Sequence, residues 1–240
     1  MQIALGCEKT NETIVDACRG FNITAYDTAL CYGSEPLLRN VPSKGSLIVT
    51  KVPRGENVFE SYKKSANNMG KNMWHGLIMH NASDYTMDNY SDLKICKVAG
   101  YVKKIGLSVY DPEDIPWHLP FDIIQFPISI LDQRFIPYIP MLKARGVEIW
   151  ARSVFLKGLL LQPMDKVKPY FEPIKYTLCQ LPIDLVARIG LLLQFVRDQE
   201  VDYMILGFEN VNQMKQIHLC MPKYKTSQYT VTECVDPRLW

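Results

Sequence analysis

The chain has 240 residues, of which 48% are hydrophobic and 22% are charged, with 27 Lys and Arg against 25 Asp and Glu. These are ordinary values for a folded protein, so they exclude intrinsic disorder, collagen and coiled coils. A net charge of +2 without a basic block gives no electrostatic basis for binding nucleic acid, and no apolar run reaches the roughly 18 residues that a membrane span needs. A small molecule is therefore the expected partner, while the oligomeric state stays open.

The cysteines give an indication of the cellular compartment. All 7 are scattered along the chain, and no C-x-x-C pair is present that could bind zinc or carry out dithiol chemistry. Reduced thiols in a cytoplasmic protein are the simplest interpretation. We therefore expect a cytoplasmic location and no metal site.

Short runs rich in Ile, Val and Leu recur along the chain, each followed by a polar loop and then by a helical pattern. Taken in chain order, the candidate strands cover residues 2–5, 24–27, 47–51, 76–79, 104–107, 123–126, 148–151 and 203–206. The clearest helices are predicted at residues 12–19, 57–69, 135–144, 183–199 and 211–219, and stunted helices are predicted at 35–39 and 112–115.

This alternation of strands and helices predicts the fold. Strict alternation favours parallel strands joined by right-handed crossovers. Eight units of about 30 residues match a closed (β/α)8 TIM barrel, an α/β fold, and fill residues 1–240 as one compact domain. A doubly wound open sheet is the alternative, but Gly6-Cys7-Glu8-Lys9 after the first strand lacks the glycine-rich phosphate loop of such sheets.

Titratable groups stand at the ends of three consecutive strands. Asp27 ends the second strand with Tyr32 five residues further on, Lys51 ends the third, and His80 follows the fourth. Because the C-terminal strand ends of a barrel share one mouth, we expect these side chains to converge there. An ammonium favours a phenolate, so Lys51 is expected to lower the pKa of Tyr32, with Asp27 as its counter-charge. With a neutral His80 as hydrogen-bond donor, this would be a proton donor for a carbonyl oxygen that gains negative charge.

The sequence resembles the aldo-keto reductase family from its first strand to its C-terminus. The motifs that carry the resemblance are Asp27-Thr28-Ala29-x-x-Tyr32-Gly33-x-Glu35, Val49-Thr50-Lys51-Val52-Pro53, Ile78-Met79-His80, Ile105-Gly106-Leu107-Ser108, Asp122-x-x-Gln125, Ala151-Arg152-Ser153-x-x-x-x-Gly158-Leu159-Leu160 and Pro237-Arg238-Leu239-Trp240. Within the family the chain looks most like a branch found among bacterial sugar and surface-polysaccharide proteins. The resemblance implies NAD(P)H-dependent reduction of an aldehyde or ketone, small or sugar-like, with Tyr32 as general acid. Lys51 and Asp27 would tune this acid, and His80 would orient the carbonyl.

The resemblance also implies a cofactor, NADPH or NADH, since no side chain can supply a hydride. Ser108 and Gln125 would hold the nicotinamide carboxamide, and Arg152 stands where many members stack a Tyr on the ring. Further contacts would come from Ser153, Leu156 and Gly158 after the seventh strand, and from Gly207, Glu209 and Gln213 after the eighth. Because Glu209 would repel a 2′-phosphate, we expect no strong preference for NADPH and possible use of NADH.

Two segments are shorter than in most family members: the one between the first and second strands and the helix after Tyr32. Loops at the barrel mouth shape the substrate pocket. Two alternative functions stay open, and the shortening is an argument for the first of them. One is a non-catalytic nicotinamide-binding or regulatory barrel. The other is a lyase in which Lys51 forms a Schiff base with the substrate.

Overall fold

The structure, a computed structural model, describes residues 1–163, 166, 175 and 178–220. Eight parallel strands close into a barrel in chain order. They are β1 Gln2–Gly6, β2 Ala25–Asp27, β3 Leu47–Val52, β4 Trp74–Met79, β5 Val102–Ser108, β6 Ile123–Pro127, β7 Glu148–Arg152 and β8 Tyr203–Leu206. Because β1 pairs with both β2 and β8, the sheet has no free edge. The predicted (β/α)8 barrel is confirmed, and every predicted strand is present.

The helices of the described residues are α1 Glu12–Ala17, α2 Val58–Met69, α3 Met87–Val98, α4 Ile139–Ala144, α5 Leu185–Arg197 and α6 Val211–Cys220. All five clearly predicted helices are found, most of them a few residues shorter. The two stunted helices are single 3-10 segments, Glu35–Leu38 and Pro112–Asp114. Within the described part of the chain, no helix is long and apolar enough to cross a membrane.

Helix α3 was not among the predicted helices, and its burial explains why. It buries only Leu93 and Cys96, whereas the apolar side chains of Met87, Ile95 and Val98 are exposed. The apolar residues therefore form no single stripe along the helix, and the 3.6-residue period that indicates a surface helix is lost.

The interior of the barrel is apolar in its middle and polar at both ends. Six buried side chains fill the middle, namely Ala4, Ala25, Val49, Ile78, Ile123 and Trp150. At the N-terminal ends of the strands, the carboxylate of Glu148 accepts hydrogen bonds from Lys104 (2.6 Å) and Trp150 (2.7 Å) and lies 2.8 Å from Nε2 of His75. This group closes the floor of the barrel, so the opposite, C-terminal mouth is the end left for a functional site.

Candidate active site

The structure brings the four predicted residues together at the C-terminal mouth. Asp27 is the last residue of β2, Lys51 lies near the end of β3, and His80 follows the last residue of β4. Tyr32 ends a 3-10 turn, Leu30–Tyr32, that begins three residues after Asp27. Gly33 then takes a left-handed conformation, with φ of 71°, which a glycine adopts without a steric penalty. The turn thereby returns the phenol of Tyr32 toward the strand ends.

A buried ion pair lies at the base of this mouth. Nζ of Lys51 donates to both carboxylate oxygens of Asp27, at 2.7 and 2.8 Å, and to the carbonyl oxygen of Thr28 at 3.0 Å. Oδ1 of Asp27 also accepts a hydrogen bond from Nε2 of Gln125, at 2.8 Å. Since the side chain of Lys51 is only 1% exposed, its three hydrogens are all used inside the protein.

Tyr32 lies above this pair and beside His80. The phenol oxygen is 3.4 Å from Nε2 of His80, and the two rings meet edge to face at 5.6 Å between centroids. Nζ of Lys51 lies 5.2 Å from the centroid of the Tyr32 ring. The phenol is therefore next to both a ring nitrogen and a positive charge, as the sequence predicted.

One expectation about this site is wrong. Burial raises the pKa of Tyr32, and the negative charge of Asp27 raises it further. The expected lowering by Lys51 is absent because Asp27 offsets the ammonium charge while burial disfavours the phenolate. Tyr32 is therefore a protonated phenol at neutral pH. Burial and the charge of Lys51 also lower the pKa of His80 to about 4, so its imidazole is neutral.

A buried carboxylate that the sequence analysis did not single out supports this geometry. Glu35 is fully buried and accepts hydrogen bonds from Thr50 at 2.7 Å and from Asn68 at 2.9 Å. It lies three residues after Tyr32, and Thr50 directly precedes Lys51 in β3. Glu35 therefore connects the segment after Tyr32 to the strand that carries Lys51 and to helix α2. Its place in the Asp27 to Glu35 motif is the sequence signal that could have indicated this role.

The residues predicted to hold a nicotinamide carboxamide lie side by side. Ser108, the last residue of β5, is paired in register with Gln125 in the middle of β6, and both are buried. A hydroxyl and an amide together offer donors and an acceptor, which is what a planar carboxamide requires. Gln125 uses one of its two amide hydrogens on Asp27, so any group held there would also be coupled to the ion pair.

Arg152 ends β7 at the same mouth. Its guanidinium donates to the carbonyl oxygen of Val109 at 2.9 Å and lies over the ring of Tyr110, 3.8 Å from the centroid. The plane that was expected to stack on a nicotinamide ring is thus packed against an aromatic side chain. The sequence analysis missed Tyr110, because nothing in the sequence indicates that the end of β5 meets the end of β7 across the mouth.

The two loops predicted to approach a dinucleotide have suitable backbones. After β7, Ser153, Leu156 and Gly158 all have positive φ, so the chain turns sharply there. After β8, a Cβ added at Gly207 would meet no atom within 4 Å, which indicates open space beside the backbone. Beyond it, Oε1 of Gln213 accepts a hydrogen bond from the Glu209 amide at 2.8 Å. The donors and acceptor of Ser108 and Gln125 and the open space beside Gly207 are compatible with the predicted nucleotide.

The comparisons with known proteins agree with the barrel fold. A profile of the Aldo/keto reductase family matches residues 6–234, so the chain belongs to this family and is an aldo-keto reductase, an oxidoreductase that acts on carbonyl groups. The family uses a nicotinamide cofactor and small carbonyl substrates. No curated protein matches the chain in sequence.

Solved structures of family members have the same fold. The holo form of an aldo-keto reductase from Bacillus halodurans is 20% identical, with a TM-score of 0.80 over 94% of this chain and 88% of that chain. The glycerol dehydrogenase of Gluconobacter oxydans is 17% identical, with a TM-score of 0.75 over 93% and 87%. The aldose reductase of Schistosoma japonicum is 15% identical, with a TM-score of 0.71 over 94% and 85%. The barrel itself is therefore shared with these family members.

Proposed function

We propose that this protein reduces a small or sugar-like aldehyde or ketone to the alcohol, with NADPH or NADH as cofactor and Tyr32 as the general acid. The observation that carries the proposal is the position of the Tyr32 phenol, 3.4 Å from His80 and above the buried Lys51 and Asp27 pair. A protonated phenol and a neutral imidazole at one point of the mouth form a site for a carbonyl oxygen.

The nicotinamide cofactor, when bound, supplies the hydride that no side chain can provide. Ser108 and Gln125 would hold its carboxamide, while the loops that contain Gly158 and Gly207 would hold the rest. Tyr32 transfers its proton to the carbonyl oxygen as negative charge develops there. Burial and Asp27 disfavour the phenolate that remains, and the positive charge of Arg152 favours it. Lys51 acts on the acid through Asp27, whose negative charge beside the phenol it offsets in the ion pair. His80 orients the carbonyl from the other side.

The choice between the two nucleotides is a finer part of the proposal. Glu209 is exposed after β8, hydrogen-bonded to Gln213, and its carboxylate would repel a 2′-phosphate. We therefore expect comparable dissociation constants for NADH and NADPH in a fluorescence titration. In Glu209→Gln, the affinity for NADPH should rise relative to NADH. Binding of NADPH at least a hundredfold tighter by the unmodified protein would contradict this part.

The geometry disfavours Lys51 as a Schiff-base nucleophile. A nucleophilic amine must be deprotonated and accessible, whereas Lys51 is 1% exposed and donates to two carboxylate oxygens and a carbonyl oxygen. Borohydride treatment in the presence of a carbonyl panel should therefore trap no substrate on Lys51. A covalent adduct at that residue, detected by mass spectrometry, would favour the lyase.

The experiment that tests the reductase is Tyr32→Phe. We expect oxidation of NADH or NADPH with a panel of aldehydes and ketones to fall by roughly 10²-fold to 10⁴-fold, with the dissociation constant of the cofactor unchanged. Tyr26→Phe is the matched control, because its hydroxyl donates to Ile23 outside the mouth. Full activity in Tyr32→Phe would refute Tyr32 as the acid, and no activity in the unmodified protein would favour a non-catalytic barrel.

A further inference from the structure

Cys31 lies beside His80 at the mouth of the barrel, and the mechanism above gives it no role. It directly precedes Tyr32 in the 3-10 turn Leu30–Tyr32. Its Sγ is 3.6 Å from Nδ1 of His80, while Nε2 of the same ring is 3.4 Å from the phenol oxygen of Tyr32. Each ring nitrogen of His80 therefore faces one of two adjacent residues of a single turn.

The protonation states of the two partners decide the direction of the Cys31 contact. Burial and Lys51 keep the His80 ring neutral at pH 7, so one of its nitrogens carries a hydrogen and the other accepts. Burial raises the pKa of the Cys31 thiol, so Cys31 carries its hydrogen as well. Sulfur is a weak acceptor and an imidazole nitrogen is a good one. If the S–H of Cys31 donates to Nδ1, the ring hydrogen resides on Nε2.

We propose that Cys31 is a positioning residue that holds His80 in the tautomer with hydrogen on Nε2, so that the ring donates toward the substrate carbonyl. In the opposite tautomer, Nε2 would accept a hydrogen bond from Tyr32 and direct the proton of the general acid away from the substrate. The effect of this tautomer on catalysis rests on the proposed function, the reduction of a carbonyl with Tyr32 as the general acid. The tautomer itself is a property of the protein alone and is measured separately.

The surroundings of His80 are consistent with this role. The charged groups that influence it are Lys51, Asp27 and Arg152, each from a different strand of the barrel. None of these three is in hydrogen-bond contact with Nδ1 in the described part of the structure, where Cys31 is the partner of that nitrogen. Removal of the thiol therefore leaves Nδ1 without this partner, so that Cys31 no longer favours one tautomer of the ring.

The first arm of the test is nuclear magnetic resonance on the full chain, without added cofactor or substrate. Long-range correlations between ring protons and ¹⁵N identify each tautomer, and His80→Gln assigns the His80 signals among the 4 histidines. We expect the Nε2–H tautomer in the unmodified protein. In Cys31→Ala its population ratio should fall by roughly threefold to tenfold, the effect of one net hydrogen bond.

Two variants distinguish donation from packing. Cys31→Ser restores an O–H donor and should restore the tautomer ratio, whereas Cys179→Ala removes another exposed cysteine and should leave the ratio unchanged. The Nδ1–H tautomer in the unmodified protein would overturn the proposal. Identical spectra for Cys31→Ala and the unmodified protein, or for Cys31→Ala and Cys31→Ser, would also overturn it.

The second arm measures turnover. In Cys31→Ala, kcat should fall severalfold with cofactor affinity unchanged, and Cys31→Ser should recover most of it. An unchanged kcat beside a shifted tautomer would overturn the catalytic part of the proposal. If no carbonyl substrate is turned over by the unmodified protein, the proposed function fails, while the spectra still decide whether Cys31 sets the tautomer.

Discussion

At the scale of single residues, the buried pair of Lys51 and Asp27 carries a high desolvation cost, which several hydrogen bonds offset. Removing either charge from water is expensive, and a buried pair repays that cost only with good geometry and further hydrogen bonds. Here the ammonium contacts both carboxylate oxygens, Thr28 supplies a third acceptor, and Gln125 donates to the carboxylate. The pair is balanced only while both of its members are present.

Lys51→Met tests this balance. It leaves the carboxylate of Asp27 buried without its counter-charge, and we expect the free energy of unfolding to fall by about 3–5 kcal/mol. Urea denaturation followed by circular dichroism measures the change. The double variant Asp27→Asn with Lys51→Met should be more stable than Lys51→Met alone, because no uncompensated charge remains. A loss below about 1 kcal/mol in Lys51→Met would contradict this account.

At the scale of elements, Gly106 in β5 lies against the backbone of β6. A Cβ at Gly106 would overlap the carbonyl oxygen of Ile123 and lie 2.7 Å from its carbonyl carbon. Backbone atoms of a paired strand cannot move aside without disturbing the ladder, so only glycine fits there. At Gly76 in β4, a Cβ would meet the end of the Ile123 side chain at 2.6 Å, and a side chain can rotate away.

These two glycines form a matched pair of variants. We expect Gly106→Ala to destabilise the protein by more than about 3 kcal/mol, and Gly76→Ala by roughly 1–3 kcal/mol, the usual cost of overpacking. Thermal unfolding of both variants, followed by circular dichroism, measures the difference. Equal losses in the two variants would mean that β5 and β6 separate easily, against the packing described above.

The sequence predicted strands and helices well where their buried residues follow a clear pattern. Strands enclosed on both faces appear as short apolar runs, so all eight were found, whereas α3 exposes Met87 and Val98 and gives no pattern. The four candidate residues of the mouth could be predicted to lie together because strand ends share one mouth. The contacts of Cys31 with His80 and of Arg152 with Tyr110 depend on side-chain directions across the mouth, which no spacing encodes. The sign of the Tyr32 pKa shift was wrong because burial cannot be read from neighbouring charges alone.

At the scale of the whole molecule, titratable groups at both ends of the barrel make the free energy of unfolding depend on pH. Burial alone would raise the pKa of Glu148 in the floor, but hydrogen bonds from His75, Lys104 and Trp150 outweigh it and lower the pKa to about 2. In the mouth, burial and Lys51 lower the pKa of His80 to about 4. Both folded-state values lie below the ordinary values of 4.5 and 6.5.

The sign of both effects is therefore the same. Between about pH 6.5 and 4 the unfolded chain binds a proton at His80 that the folded chain does not, and between about pH 4.5 and 2 the same holds for Glu148. The stability that Glu148 contributes is complete above its pKa in the unfolded chain, 4.5. It is lost as the pH falls through its pKa in the folded protein, about 2. The free energy of unfolding should thus decrease in two overlapping steps on acidification, each on the order of 2–3 kcal/mol when complete.

Urea denaturation between pH 7 and pH 3 checks this prediction. Glu148→Gln should be less stable than the unmodified protein at pH 7, because neutral hydrogen bonds replace charged ones, but its stability should change less between pH 4.5 and 3. His80→Gln is the matched control at the other end of the barrel, and should flatten the decrease between about pH 6.5 and 4. If Glu148→Gln keeps the full dependence below pH 4.5, the acid sensitivity arises elsewhere, and the floor does not stabilise the barrel through the charge of Glu148.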